Sequence, residues 1–102
     1  MRGVFWSQNA LDDTDALVAY ISSDDPIAAL QVLDRIETTA ERLGRTPIGR
    51  RGRVAGTYEK PVVGLPYIIA YALEPTPTGG ERIVILRVIH GARNSPEGEW
   101  PR

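Results

Sequence analysis

Two side chains in one apolar segment could do acid–base or anion chemistry. Arg87 lies inside the run Arg82-Ile83-Val84-Ile85-Leu86-Arg87-Val88-Ile89-His90, and His90 closes it. Imidazole exchanges a proton near neutral pH. Guanidinium presents a planar fork of donors that fits carboxylates and phosphates. By sequence spacing His90 has no obvious second catalytic group. The same residues have plainer uses: Arg87 paired to an acid such as Glu59, and His90 as a hydrogen-bonded structural or interface residue. A second constellation, Arg50-Arg51-Gly52-Arg53, suits phosphates, an acidic partner protein, or a solvated loop.

Other chemistry is excluded by residue type. The chain has no Cys and one His, so thiolate nucleophiles, disulfides and multi-histidine metal centres are ruled out. No nucleophile elbow, phosphate loop or dinucleotide fingerprint is present. Gly49-Arg50-Arg51-Gly52 lacks the Lys and the strand-to-helix setting of a phosphate loop. No cofactor and no metal are expected.

The 102 residues amount to one domain, 1–102, of average composition: 42% hydrophobic and 25% charged. No apolar run approaches the roughly 18–20 residues of a membrane span, and the N-terminus does not read as a secretory signal, so a cytoplasmic location is expected. The net charge of −1 hides an asymmetry. Residues 1–44 carry three Arg against eight acids, a net −5; residues 45–102 carry eight Arg and Lys60 against five acids, a net +4. The second half is the expected functional face. A net charge near zero argues against a dedicated nucleic-acid binder, and no direct DNA binding is expected.

The elements that must position these residues follow from periodicity. Gly3–Trp6 reads as a short strand. Ser7 is placed to cap a helix over 8–22, with Ala10, Thr14, Leu17 and Ile21 on one face and Asp12, Asp13 and Asp15 complementing the helix dipole. Asp25-Pro26 restarts a helix, since Asp caps and Pro fits the first helical position. Ala29, Val32, Ile36, Ala40 and Leu43 then recur at helical spacing, with Leu30 and Leu33 widening the stripe, and Gly44 is expected to end it in the left-handed conformation. After a Gly- and Arg-rich loop, residues 53–63 read as a bent strand, 67–73 as a strand, 74–81 as a hairpin loop and 82–90 as the central strand. A polar tail, 94–102, carries Trp100. The order β-α-α-β-β-β implies an α+β fold, with an antiparallel helical hairpin on one face of a mainly antiparallel sheet of about four strands.

Strand parity groups Ile83, Ile85, Arg87 and Ile89 on one face. If the hairpin covers only the other face, this one is left exposed, and exposed apolar strips mark partner sites. The expected partner-binding set is therefore Ile85, Arg87 and Ile89 with Arg50, Arg51, Arg53, Tyr58 and Arg93, completed by a helix or strand of another chain.

The chain resembles the RelE/ParE superfamily of toxins from type II toxin–antitoxin systems, ParE-like plasmid stabilisation proteins. The resemblance rests on Trp6-Ser7 and Ala10, Tyr20-Ile21, Asp25-Pro26 with Ala28-Ala29, Leu43 then Pro47 and Gly49-Arg50, the Gly52–Glu59 segment, Pro66–Tyr71 and Leu86–Arg93. It implies the same fold, growth inhibition, and a hetero-oligomer with a cognate antitoxin. One branch consists of ribosome-dependent mRNA endoribonucleases; the other poisons DNA gyrase by protein contact. Nuclease members carry an Arg three residues before a third-strand Tyr; counted back from Tyr71, that position here is Ile68. Arg93 matches the Arg near the end of the fourth strand, but Asn94 to Glu99 contains no Tyr. These departures favour the gyrase branch. The alternatives are an endoribonuclease using His90, Arg87, Arg93 and Glu59, and a non-toxic antitoxin-binding module.

Overall fold

The computed structural model describes residues 2–46, 50–52 and 55–91. Arg53, Arg93 and the tail with Trp100 lie outside them. The elements are β1 (Val4–Trp6), α1 (Gln8–Ser22), α2 (Pro26–Arg45), β2 (Arg50–Arg51), β3 (Tyr58–Pro61), β4 (Tyr67–Pro75) and β5 (Glu81–His90). They form one sheet in the order β1-β5-β4-β3-β2. β1 runs parallel to β5; the other pairs are antiparallel. This is the expected α+β arrangement, with a two-residue β2 added beyond the four expected strands.

Both helices start where capping chemistry places them. The Ser7 hydroxyl accepts the Ala10 N–H at 3.1 Å, and Asp25 Oδ1 accepts the Ala28 N–H at 3.0 Å with Pro26 behind it. The helices pack on each other, α1 over β5 and α2 over β1 and β5. Ala10, Ile36, Ala40 and Leu43 meet Ile69, Tyr71, Ile83, Ile85 and Val88 in the main core. Val32 joins its margin, but Leu30 is 65% exposed and does not widen the stripe.

Three local expectations need correction. Gly44 does not stop α2, which runs to Arg45, and its backbone is not left-handed. Its role is close approach: its carbonyl accepts the Arg2 N–H at 2.7 Å, and a Cβ there would lie 2.7 Å from the Arg2 carbonyl oxygen. The strand expected over 53–63 starts only at Tyr58, because Ala55-Gly56 forms a turn with Gly56 at φ +84°. Asp12, Asp13 and Asp15 sit beyond the first turn of α1, which holds no acid, and Asp13 has another task, described below.

The largest departure is in the parity of β5. Tyr71 pairs with Ile85 but Ala70 pairs with Arg87, so Leu86 is an extra residue in the ladder. Such a bulge flips the side-chain alternation beyond it. Ile83 and Ile85 therefore face the helices with Val88. Ile89 faces the other way, in a separate buried cluster with Ile68 and Ala70. Ile85 is fully buried and Ile89 only 7% exposed, so neither forms the open apolar strip expected of a partner surface.

Two outcomes follow. Alanine at a helical Gly normally stabilises by about 1 kcal/mol, whereas overpacking costs about 1–3 kcal/mol; the 2.7 Å approach to a backbone oxygen makes the second term win. Gly44→Ala is expected to lower the denaturant midpoint. Separately, burial, and secondarily the neighbouring Tyr58, raise the Tyr71 phenol above its ordinary value of 10.0. Above pH 10 the unfolded chain releases that proton while the folded chain holds it, so stability is lost as pH rises through the folded value. Unfolding measured from pH 9 upward should show this decline, and Tyr71→Phe should flatten it.

Candidate functional site

β1 ends at Trp6, opposite Ile85. Beyond it the outer edge of β5 has no strand beside it among the described residues, and the backbone C=O and N–H groups there need partners. The chain supplies them as it turns into α1. The Ser7 N–H donates to the Ile85 carbonyl at 2.9 Å, and the Ser7 hydroxyl donates to the Leu86 carbonyl at 2.9 Å. One turn further on, Asp13 Oδ2 accepts the Val88 N–H at 2.9 Å. The same carboxylate takes the Arg87 fork in two contacts, Nε to Oδ2 at 2.7 Å and Nη2 to Oδ1 at 2.9 Å. Both side chains are partly buried, 17% and 27% exposed, so this pair is screened less than a surface salt bridge. Arg87 is paired with an acid as expected, but the acid is Asp13, 74 residues away in sequence, where Glu59 was the example named.

The sheet register separates Glu59 from His90, while Arg87 and His90 line one groove. Glu59, Ala70 and Arg87 form one row across β3, β4 and β5, on the face of the Ile68–Ala70–Ile89 cluster. Glu59 is nearly fully buried. His90 pairs with Tyr67 in register, and their rings meet edge to face with centroids 5.6 Å apart. It lies in a groove of about 580 Å³ lined with Ala16, Leu17 and Tyr20 of α1, on the helix side. Glu59 and His90 therefore occupy opposite faces, and Arg87 reaches round the edge to α1. No group of three or more His, Cys, Asp or Glu suited to a metal ion occurs among the described residues.

The arginine cluster is divided too. Arg50 is in register with Glu59, and Arg51 with Tyr58. Tyr58 is half-buried against the main core and stacks on Tyr71, centroids 5.5 Å apart, so it serves packing. Arg51 is exposed. The residue that sequence reasoning missed is Asp13. Its signal was an acid on the core-facing side of an amphipathic helix, one position from buried Thr14, where helix-dipole complementarity was a sufficient but incorrect explanation.

With this geometry in place, the similarity to known proteins is direct. Residues 4–95 match the family described as ParE toxin of type II toxin-antitoxin system, parDE, and the chain belongs to that family. It is 37% identical to Y4kP of Sinorhizobium fredii over 102 residues, 99% of this chain and 95% of the other. It is 35% identical to Toxin RelE2 of Caulobacter vibrioides over 94 residues, 91% and 99% of the two chains. A solved structure described as the chromosomal ParDE TA system from P. aeruginosa superimposes with a TM-score of 0.76 at 23% identity, covering 88% of this chain and 96% of that one. That likeness speaks to the fold. The protein is thus a type II toxin–antitoxin toxin of the RelE/ParE superfamily.

The Asp13 contacts carry a stability prediction. Asp13→Ala removes one partner of a part-buried pair and orphans the Val88 N–H, at a cost of about 2–4 kcal/mol. Asp13→Asn, which keeps an acceptor for the N–H, should lose less. In a double-mutant cycle, Asp13→Ala combined with Arg87→Ala should cost clearly less than the two single changes added, read by urea unfolding.

Proposed function

We propose that this toxin arrests growth by binding and poisoning DNA gyrase through protein–protein contact, and that a cognate antitoxin neutralises it in a hetero-oligomer. The observation that carries the reading is the separation of Glu59 from His90 across the sheet, with the Arg87 fork held by Asp13. Strand cleavage at a ribose hydroxyl needs a base, an acid and an anion-holding group around one phosphate, within hydrogen-bond reach of the reacting atoms. Glu59 and His90, on opposite faces of the sheet, do not flank one such point, and the Arg87 fork that shares the His90 groove is engaged by Asp13. A toxin without a convergent centre acts by occupying a surface of its target, and Arg50, Arg51 and Arg53, with Arg93, are the proposed contacts to acidic surfaces. The ParDE description of the similar structure supports an antitoxin as the neutralising partner.

The experiment pairs two purified systems. Adding the protein to DNA gyrase should inhibit supercoiling in proportion to dose, and induced expression should give filamentous cells with intact transcripts. His90→Ala should leave the growth arrest unchanged. Cut messenger RNA in a reconstituted ribosome system, with supercoiling unaffected, would overturn the reading in favour of the nuclease branch. Expression without any growth defect would overturn both.

A further inference from the structure

Three N–H donors converge on the Asp13 carboxylate: Arg87 Nε at 2.7 Å, Arg87 Nη2 at 2.9 Å and the Val88 N–H at 2.9 Å. An arginine fork beside a backbone amide is equally the donor set that holds a phosphate or an external carboxylate. Its backbone is fixed by the sheet, since Arg87 pairs with Ala70 and Val88 with Ile69 of β4. The set opens onto the groove of about 580 Å³ that Asp13 and Arg87 line with Tyr20, Tyr67 and His90. Tyr20 is 72% exposed, so the groove is reached from solvent. Closing the strand edge at Val88 asks only for one acceptor for one N–H, which a neutral hydroxyl can supply. The carboxylate does more. It spans both fork nitrogens and cancels the guanidinium charge beside an imidazole.

We propose that the Arg87 fork and the Val88 N–H form a built oxyanion site filled by the chain's own carboxylate, and that Asp13 thereby bars phosphate groups from the groove beside His90. Asp13 is presented by a helix already packed on β5, so it meets the donors at an effective concentration far above that of a dissolved anion. An incoming phosphate has to displace it and is repelled by its charge. Asp13 is in this sense a specificity-determining residue: the native groove selects against phosphate esters, and removing the carboxylate converts it into an anion receptor. The inference concerns ligand selection at one groove and stands whether or not gyrase is the toxin's target.

The test is anion rescue of the full chain, with inorganic phosphate and formate as probes and chloride matched for ionic strength. Urea unfolding is followed for the wild type and for Asp13→Ala. At phosphate about tenfold above its dissociation constant, the unfolding constant of Asp13→Ala should fall about elevenfold, and formate should act in the same way. The wild type should show only the small, non-saturating gain that excluded salts give any protein. Combining Asp13→Ala with Arg87→Gln should abolish the saturating gain. Amide shifts on adding phosphate to Asp13→Ala should centre on Val88. Asp13→Ser, whose hydroxyl still accepts the Val88 N–H, is read in the same way in case the alanine variant does not fold. Equal gains in wild type and variant, a saturating gain that survives Arg87→Gln, or no saturating gain in either Asp13→Ala or Asp13→Ser would overturn the proposal. Supercoiling and growth arrest are not readouts here, so failure of the oxyanion site and failure of the gyrase reading are told apart.

Discussion

Beyond Ile85 the strand β5 no longer has β1 beside it, and a strand edge packed under a helix cannot leave its N–H groups to water. The Asp13 carboxylate resolves this by accepting the Val88 N–H and the Arg87 fork together. Ser7 secures the preceding two carbonyls while capping α1. The first turns of α1 are thereby sewn to the middle of β5 by backbone and charge-assisted bonds. Charge-assisted bonds are the stronger kind, and here they stand where sheet pairing ends. The geometry of the helical hairpin over the sheet follows from that seam, because α2 is in turn packed against α1.

The same junction decides which side chains face where. A regular β5 would have put Arg87 and Ile89 on the helix side with Ile83 and Ile85. The extra residue at Leu86 lets Val88 take the core position while Arg87 swings to the edge. An arginine inside a five-residue apolar neighbourhood is then accommodated without burying an unpaired charge, which would be costly. The bulge and the ion pair explain each other: without the register shift Arg87 would point at the main core, and without Asp13 its fork would lack the contact that closes the edge.

Much of this architecture was legible in the sequence because it rests on local rules. Ser7 and Asp25-Pro26 mark helix starts by side-chain chemistry acting within one turn. The 3-4 spacing from Ala29 to Leu43 specifies a face, and the run from Ile83 to Ile89 specifies a buried strand. What stayed hidden depends on contacts between distant segments. A bulge at Leu86 leaves no compositional mark, since every residue from Ile83 to Ile89 except Arg87 is apolar. Parity counted straight through it therefore sent Ile85 to the wrong face. Nor can a carboxylate's partner be read from spacing when it lies 74 residues on. Gly44 was misread for the same reason: a glycine near a helix end suggests a cap, whereas the constraint here comes from the Arg2 backbone. The family was visible because many weak local signals occurred in one order, while the disposition of Glu59, Arg87 and His90 required the fold.

Charge tells a similar story at larger scale. Counting by halves of the chain suggested an acidic front and a basic back, yet space does not respect that division. Arg35 and Arg42 belong to the acidic half, Arg45 and Lys60 to the basic half, and all four line one groove. Glu37 and Glu41, on the same helix, are exposed away from that lining. An amphipathic helix thus sorts charge by face as well as polarity, and a helix set over one side of a five-stranded sheet leaves its basic margin beside the strand it does not cover. The imbalance between two helices and five strands creates the open space, and helical periodicity decides the sign of its walls. Neither factor alone would yield a groove with cationic walls.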